Sequence, residues 1–379
     1  MTSIVVIQPE VPAYRVGFFA RLSARLGTAL VVHASEGVLG KLSERTALPA
    51  WQRQLGPIRS IVPGLCWQFG AFGVPMKRGD ILILWGNPRC LSNLAVLVKA
   101  RAKGVKTVWW GHYRSSTSKG WSMWLRLRLL RLADGILFYT DQERIEYLSS
   151  GRNFEPERVF ATNNGIETDA IVRLRAPYDA ASRPRRLLFI GRLTPKARVD
   201  LLLHALSDPS CSGIELAVIG DGEREPSLKA LAEELNLAKR IHWHGGTTDE
   251  RQIAAIANES RVFIYPGAVG LSLIHGMSYG LAAIVHDDRS KHGPEFAALR
   301  PRLNGLTFSA GDWQSLAAVL STVISDEQCL NAMSLSAMET TATAFNTEDM
   351  ADRFCDVIRV LGGSLPALPA RKAAARETP

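Results

Sequence analysis

"LLFIGRLTPKARVDLLLHAL", Leu187 to Leu206, decides how the chain folds. Its opening run of four apolar residues suits a strand buried on both faces. Gly191 and Arg192 end that run, Pro195 and Lys196 follow, and from Val199 the apolar residues recur with a helical period. A buried strand that turns directly into an amphipathic helix is the unit from which helix-covered parallel sheets are built. The unit then repeats. "IELAVIGDG" (214–222), "IHWHGG" (241–246), "RVFIYPG" (261–267) and "AAIVHDD" (282–288) each carry a further apolar run, with helical patterns between them.

Toward the N-terminus the same alternation is already present. "SIVVIQ" (3–8) precedes the helical "RVGFFARLSARLG", and "ALVVHA" (29–34), "DILILWG" (80–86), "TVWWGH" (107–112) and "GILFYT" (135–140) repeat the strand signal. Between the two series lies "RAPYDAASRPRR" (175–186), a polar stretch that resembles an interdomain linker. The expected fold class is α/β: two Rossmann-like doubly wound domains facing across a cleft, over residues 1–180 and 181–345. A C-terminal helix over 346–363 is expected to pack back on the first domain. A Pro/Ala-rich disordered tail is expected over 364–379.

Composition bounds the function. The chain has 379 residues, enough for two cores, with 46% hydrophobic and 21% charged residues, as in ordinary globular proteins. No apolar run reaches the roughly 18 to 20 residues of a membrane span, and "MTSIVVIQPE" has neither a basic leader nor a cleavage site, so a cytoplasmic protein is expected. Cys66, Cys90, Cys211, Cys329 and Cys355 are scattered without paired spacing, which argues against a disulfide framework and a zinc site. Residues 1–180 hold 24 Lys/Arg against 13 Asp/Glu, whereas 181–379 hold 21 against 23. The basic half could face anionic lipid or a phosphate-bearing substrate, or simply be solvated; nucleic acid is not expected without a binding motif.

Site candidates fall at strand ends, where ligands bind in such sheets. Arg192 and Lys196, beside Gly191, suit a diphosphate whose charge must be stabilised as it leaves. Gly220 and Gly222 let a ligand approach the backbone. Gly270, Leu271 and Ser272 stand where a loop becomes a helix, a place whose free N–H groups favour phosphate, and His275 shares the helical face of Ser272. The bland readings are two surface cations, an everyday turn and a structural histidine.

Together these blocks carry a resemblance. "FIGRLTPKARVDLLLHAL", "AVIGDGE", "IHWHGG", "VFIYPGAVGLSLIHGMSYGLAAI" and "HGPEFAAL…NGLTFSAGD", spanning about 186 to 312, resemble the donor-binding domain of retaining glycosyltransferases of family 4, which have the GT-B fold. "PAYRVGFFARL", "WWGH" and "NNGIETD" match the first half more loosely.

The resemblance implies that Arg192 and Lys196 grip a nucleotide diphosphate, that Gly270, Leu271 and Ser272 contact its phosphates, and that His112 lies beside the transferred sugar. It also exposes a departure. The usual Glu, seven residues, Glu becomes Gly267 and His275, so the sugar-facing carboxylate is gone and a histidine stands where the ribose contact is expected. Neutral His275 can exchange one hydrogen bond with a ribose hydroxyl.

The implied activity is transfer of a sugar from a nucleotide-diphosphate donor, UDP- or GDP-linked, to a saccharide or lipid-linked acceptor. Transfer is with retention, in polysaccharide or glycan assembly. The rival reading is a noncatalytic nucleotide-sugar-binding relative. Neither a cofactor nor a metal is expected, and "HDD", His286 to Asp288, reads as a turn. Arg15 is the candidate for an acidic or phosphorylated acceptor. "SKGWSMWLRLRLLRLADG" (118–135) fits either a helix packed on the sheet or peripheral attachment at the inner face of the cytoplasmic membrane.

Overall fold

The computed structural model describes residues 2–35, 48–113, 121–151 and 154–362. The chain divides into two compact units, Met1–Asn164 with Thr347–Pro379, and Gly165–Asn346.

The first unit begins β1 (Ile4–Gln8), α1 (Ala13–Leu26), β2 (Leu30–Ser35), β3 (Gln52–Leu55). A hairpin of β4 (Ile58–Val62) and β5 (Leu65–Gln68) follows, then β6 (Ile81–Trp85), α2 (Leu91–Ala102) and β7 (Lys106–Trp110). It continues through α3 (Trp121–Leu130), β8 (Gly135–Phe138), α4 (Asp141–Ser149) and β9 (Val159–Ala161). Seven parallel strands lie in the order β3-β2-β1-β6-β7-β8-β9, so the chain reverses direction across the sheet between β1 and β6.

The second unit runs α5 (Asp169–Leu174), β10 (Arg186–Ile190), α6 (Val199–Ser207), β11 (Glu215–Ile219), α7 (Glu225–Glu234), β12 (Ile241–Trp243). Then come α8 (Glu250–Ala257), β13 (Val262–Tyr265), α9 (Leu271–Ser278), β14 (Ala282–His286), β15 (Gly305–Phe308), α10 (Trp313–Val323) and α11 (Glu327–Thr343). Six parallel strands take the order β12-β11-β10-β13-β14-β15. Leu187 of β10 pairs with both Leu216 and Val262, which is why its apolar run is continuous: both faces of this central strand are covered.

The chain then returns. α12 (Thr347–Val360) belongs to the first unit and lays Met350, Phe354, Val357 and Ile358 into the same core as Phe18, Phe19 and Trp110. Phe354 meets Phe18 and Trp110 edge-on, each ring 5.6 Å away. The tail over 364–379 lies outside the described residues.

Two expectations are corrected. The boundary falls after Asn164, not at 180, and "RAPYDAASRPRR" is no linker. Tyr178 donates to the Arg261 carbonyl at 2.8 Å, the Arg183 guanidinium donates to the Ser260 carbonyl at 2.8 Å, and Asn331 accepts from the Ala180 N–H. These bonds fix the stretch to the second unit. Its polarity serves backbone carbonyls that would otherwise be buried without partners.

Candidate functional site

In the second unit the sequence-predicted residues gather at the carboxyl edge of one sheet, around the reversal between β10 and β13. This is where doubly wound sheets bind ligands. The loop after β10 carries Gly191, Arg192 and Lys196. Both cations are exposed, and neither has an ion-pair partner among the described residues. The loop is held by backbone alone: Leu193 N–H donates to the Asp221 carbonyl at 2.7 Å and Gly191 N–H to the Ile219 carbonyl at 3.0 Å. Gly220 lies so close to Gly191 that a Cβ there would stand 1.9 Å from its carbonyl oxygen, and a Cβ on Gly222 would be 2.5 Å from that of Leu193.

Gly267 plays the same part on the other side. A Cβ there would stand 1.9 Å from the Lys196 carbonyl oxygen, and the Ala268 N–H donates to that oxygen at 3.0 Å. Thus the loop bearing Lys196 is stitched to the turn that opens α9. Gly270 precedes the helix and offers it no side-chain cap, while Leu271 and Ser272 form its half-buried first turn. Glu295, 5% exposed, flanks the turn: its Oε2 lies 3.6 Å from where a Cβ of Gly270 would be.

His292 braces the turn from behind. Its Nδ1 accepts the Val269 N–H at 3.1 Å while its Nε2 donates to the His286 carbonyl at 2.9 Å. Only the neutral ring can do both. Burial pushes its pKa down to about 4, against the bond to the His286 carbonyl, which favours the protonated ring. Asp287 and Asp288 take backbone hydrogen bonds from Ala310 and Ser290, and no cluster of three metal-ligating side chains occurs among the described residues.

His275 is not a free ligand. Its Nε2 donates to the Glu250 carboxylate at 2.8 Å, and the Tyr279 hydroxyl donates to the same oxygen. Burial raises the Glu250 carboxyl, but the His275 and Tyr279 bonds outweigh it and hold the group below its ordinary range.

In the first unit, His112 follows the carboxyl end of β7. Its ring lies tilted against Tyr139 at 4.4 Å, its carbonyl accepts from the Arg126 guanidinium at 3.0 Å, and its Nδ1 stands 3.4 Å from Glu143. Glu143 opens α4 and accepts the backbone N–H groups of Tyr113 and Tyr139, both at 3.1 Å, so it ties the ends of two strands to the histidine between them. Arg126, inside the stretch weighed as a membrane segment, thus turns inward. Trp124 and Arg128 on the same helix stack together at 5.1 Å and are exposed; residues 118–120 lie outside the described residues.

Arg15, in the first turn of α1, is not the solvent-facing helix-start residue that its position suggests. It is 8% exposed, lies 5.0 Å over the Trp110 ring and 5.8 Å over Tyr139, and donates to the Met350 sulfur. No carboxylate pairs with it among the described residues. Among the described residues no helix is long and apolar enough to cross a membrane.

The family model described as "Glycosyl transferases group 1" matches residues 172–340. A curated relative, the lipopolysaccharide core biosynthesis glycosyltransferase LpsE of Rhizobium meliloti (strain 1021), is 24% identical over 239 residues, covering 62% of this chain. The match spans 66% of that relative, just under two thirds of its length. Among solved structures, Anabaena Alr3699/HepE in complex with UDP superposes with a TM-score of 0.68 at 15% identity, covering 95% of this chain and 100% of the other. The apo lipopolysaccharide outer core galactosyltransferase WaaB gives 0.67 at 17% identity, covering 95% and 99%. The fold is therefore that of the GT-B glycosyltransferases, with two Rossmann-like units.

Proposed function

We propose that this chain is a glycosyltransferase that moves a sugar from a nucleotide-diphosphate donor, UDP- or GDP-linked, to a saccharide or lipid-linked acceptor in lipopolysaccharide or related glycan assembly. One observation carries the reading: Arg192 and Lys196, two cations without an ion-pair partner among the described residues, on a loop stitched through the Lys196 carbonyl to the turn before α9. An anion with two phosphoryl groups complements that arrangement, and binding energy there grows as charge develops on the departing diphosphate. The match to LpsE and the likeness to a UDP-bound structure support the donor class.

Transfer with retention is part of the proposal. The bond from the anomeric carbon to the diphosphate oxygen breaks, the acceptor oxygen bonds the same face, and the acceptor proton passes to the departing phosphate oxygen. His112, its backbone held by Arg126 and its ring set between Tyr139 and Glu143, is assigned to the sugar. Arg15, a buried cation beside the same Tyr139 with no carboxylate partner among the described residues, is assigned to an acidic group of the acceptor. The exposed Trp124 and Arg128 support peripheral attachment at an anionic membrane surface.

A thermal-shift screen against UDP, GDP and their sugars is expected to show a selective rise, since a ligand that binds only the native state stabilises it. Hydrolysis or transfer of the selected donor is then expected to fall at least about a hundredfold in Arg192→Ala and Lys196→Ala, the scale of losing one donor to a developing anion. Undiminished turnover in both variants would exclude the assignment.

A further inference from the structure

Glu250 is in no sequence motif singled out above, yet two side chains hold its carboxylate on this edge of the second unit. It opens α8, after the carboxyl end of β12, where Asp249 caps the helix. His275 of α9 and Tyr279, one turn later as its C-cap, both donate to its Oε1. Its Oε2 has no partner among the described residues, and the side chain keeps 26% of its exposure. Two donors aimed at one oxygen orient the other as a fixed, charged acceptor.

What that acceptor meets follows from charge. A carboxylate repels phosphate, so its ligand is an uncharged group with hydroxyl donors. His275 lies about one helical turn, roughly 5.4 Å along the axis, below the start of α9. In a nucleoside diphosphate bound with its phosphates at that start, the group joined to them is the ribose, whose neighbouring 2′ and 3′ hydroxyls, across its ring from the phosphates, are two donors suited to one carboxylate. The Nε2–H of His275 is committed to Glu250, so its donor aims the carboxylate.

We propose that Glu250 recognises the ribose of the donor nucleotide, with His275 and Tyr279 as positioning residues that aim it. The inference rests on the nucleoside-diphosphate reading of this site. It also relocates the missing carboxylate: the charge absent from α9 enters from α8.

The test is calorimetric titration of the full chain with UDP and GDP and with their 2′-deoxy and 2′,3′-dideoxy forms. The unsubstituted protein is expected to prefer its ribonucleotide by tenfold or more over the dideoxy form. In Glu250→Gln, which keeps the shape, and in Glu250→Ala, the ribonucleotide weakens about tenfold, the dideoxy form binds as before, and the preference collapses. His275→Ala, which leaves Glu250 charged but unaimed, loses part of the preference. If Glu250→Gln binds with the original ribose preference, the assignment is overturned while the donor reading stands. If the unsubstituted protein binds no nucleoside diphosphate, the donor reading falls and this inference with it.

Discussion

At position 267 a side chain has nowhere to stand, and this decides how the departure from the usual two-carboxylate pattern is understood. The Lys196 carbonyl fills the space where a Cβ would be, at 1.9 Å, so the loss of the first carboxylate is built into the backbone. Restoring it is therefore expected to do harm. Gly267→Glu must push the Lys196 loop aside, an overpacking that costs about 1–3 kcal/mol and lowers the melting temperature. Turnover is expected to fall rather than rise, because Lys196 moves with its loop. A variant that melts as before and turns over faster would show that the pattern had simply been lost. His275 teaches the complementary lesson: it reads as a ligand by position, and its Nε2–H goes to Glu250.

The elements around the turn before α9 were unequally visible in the sequence. β10, β11, β13 and β14 were legible because central parallel strands are apolar on both faces. β3, with the sequence "QRQL", and the β4–β5 hairpin were not, because edge and surface strands lack that run. That Arg192 and Lys196 stand on a loop at the sheet edge was legible because strand end and loop are contiguous. Glu250, Glu143 and Arg126 were not, since each meets its histidine only through the fold. The segment after β14 adds a titration. Burial favours the neutral ring of His292, the form that braces Val269, and its pKa falls from 6.5 in the unfolded chain to about 4. The stability this contributes is complete above pH 6.5 and is lost as pH drops toward 4, where the unfolded chain binds a proton that the native ring refuses. His286, stacked on it and also lowered, acts in the same direction, with Asp287 and Asp288 opposing. Melting temperatures are thus expected to decline across that window. His292→Leu should melt lower at pH 8 and show a shallower decline; an unchanged slope would remove His292 as its source.

Over the whole molecule the positive charge is unevenly spread. Residues 45–133 contain fifteen Lys and Arg against a single acid, Asp80, which is buried and occupied by the backbone N–H groups of Ser3 and Lys77. Ile61, Val62, Phe69, Phe72 and Trp124 are exposed in the same stretch. Cations interleaved with exposed apolar groups suit an anionic bilayer surface. Sedimentation with vesicles of anionic phospholipid is expected, weakening as salt rises, with little on neutral vesicles. Equal binding to both would point to apolar contact alone. The return of α12 has its own consequence, for a chain being made on a ribosome. Residues 1–164 emerge first, yet their core lacks Met350, Phe354 and Ile358 until the last helix is made, whereas 165–346 hold all of theirs. The later unit is then the first able to finish folding. Meanwhile the earlier one waits with Phe18 and Trp110 uncovered, an interval in which a nascent chain needs shielding from its neighbours.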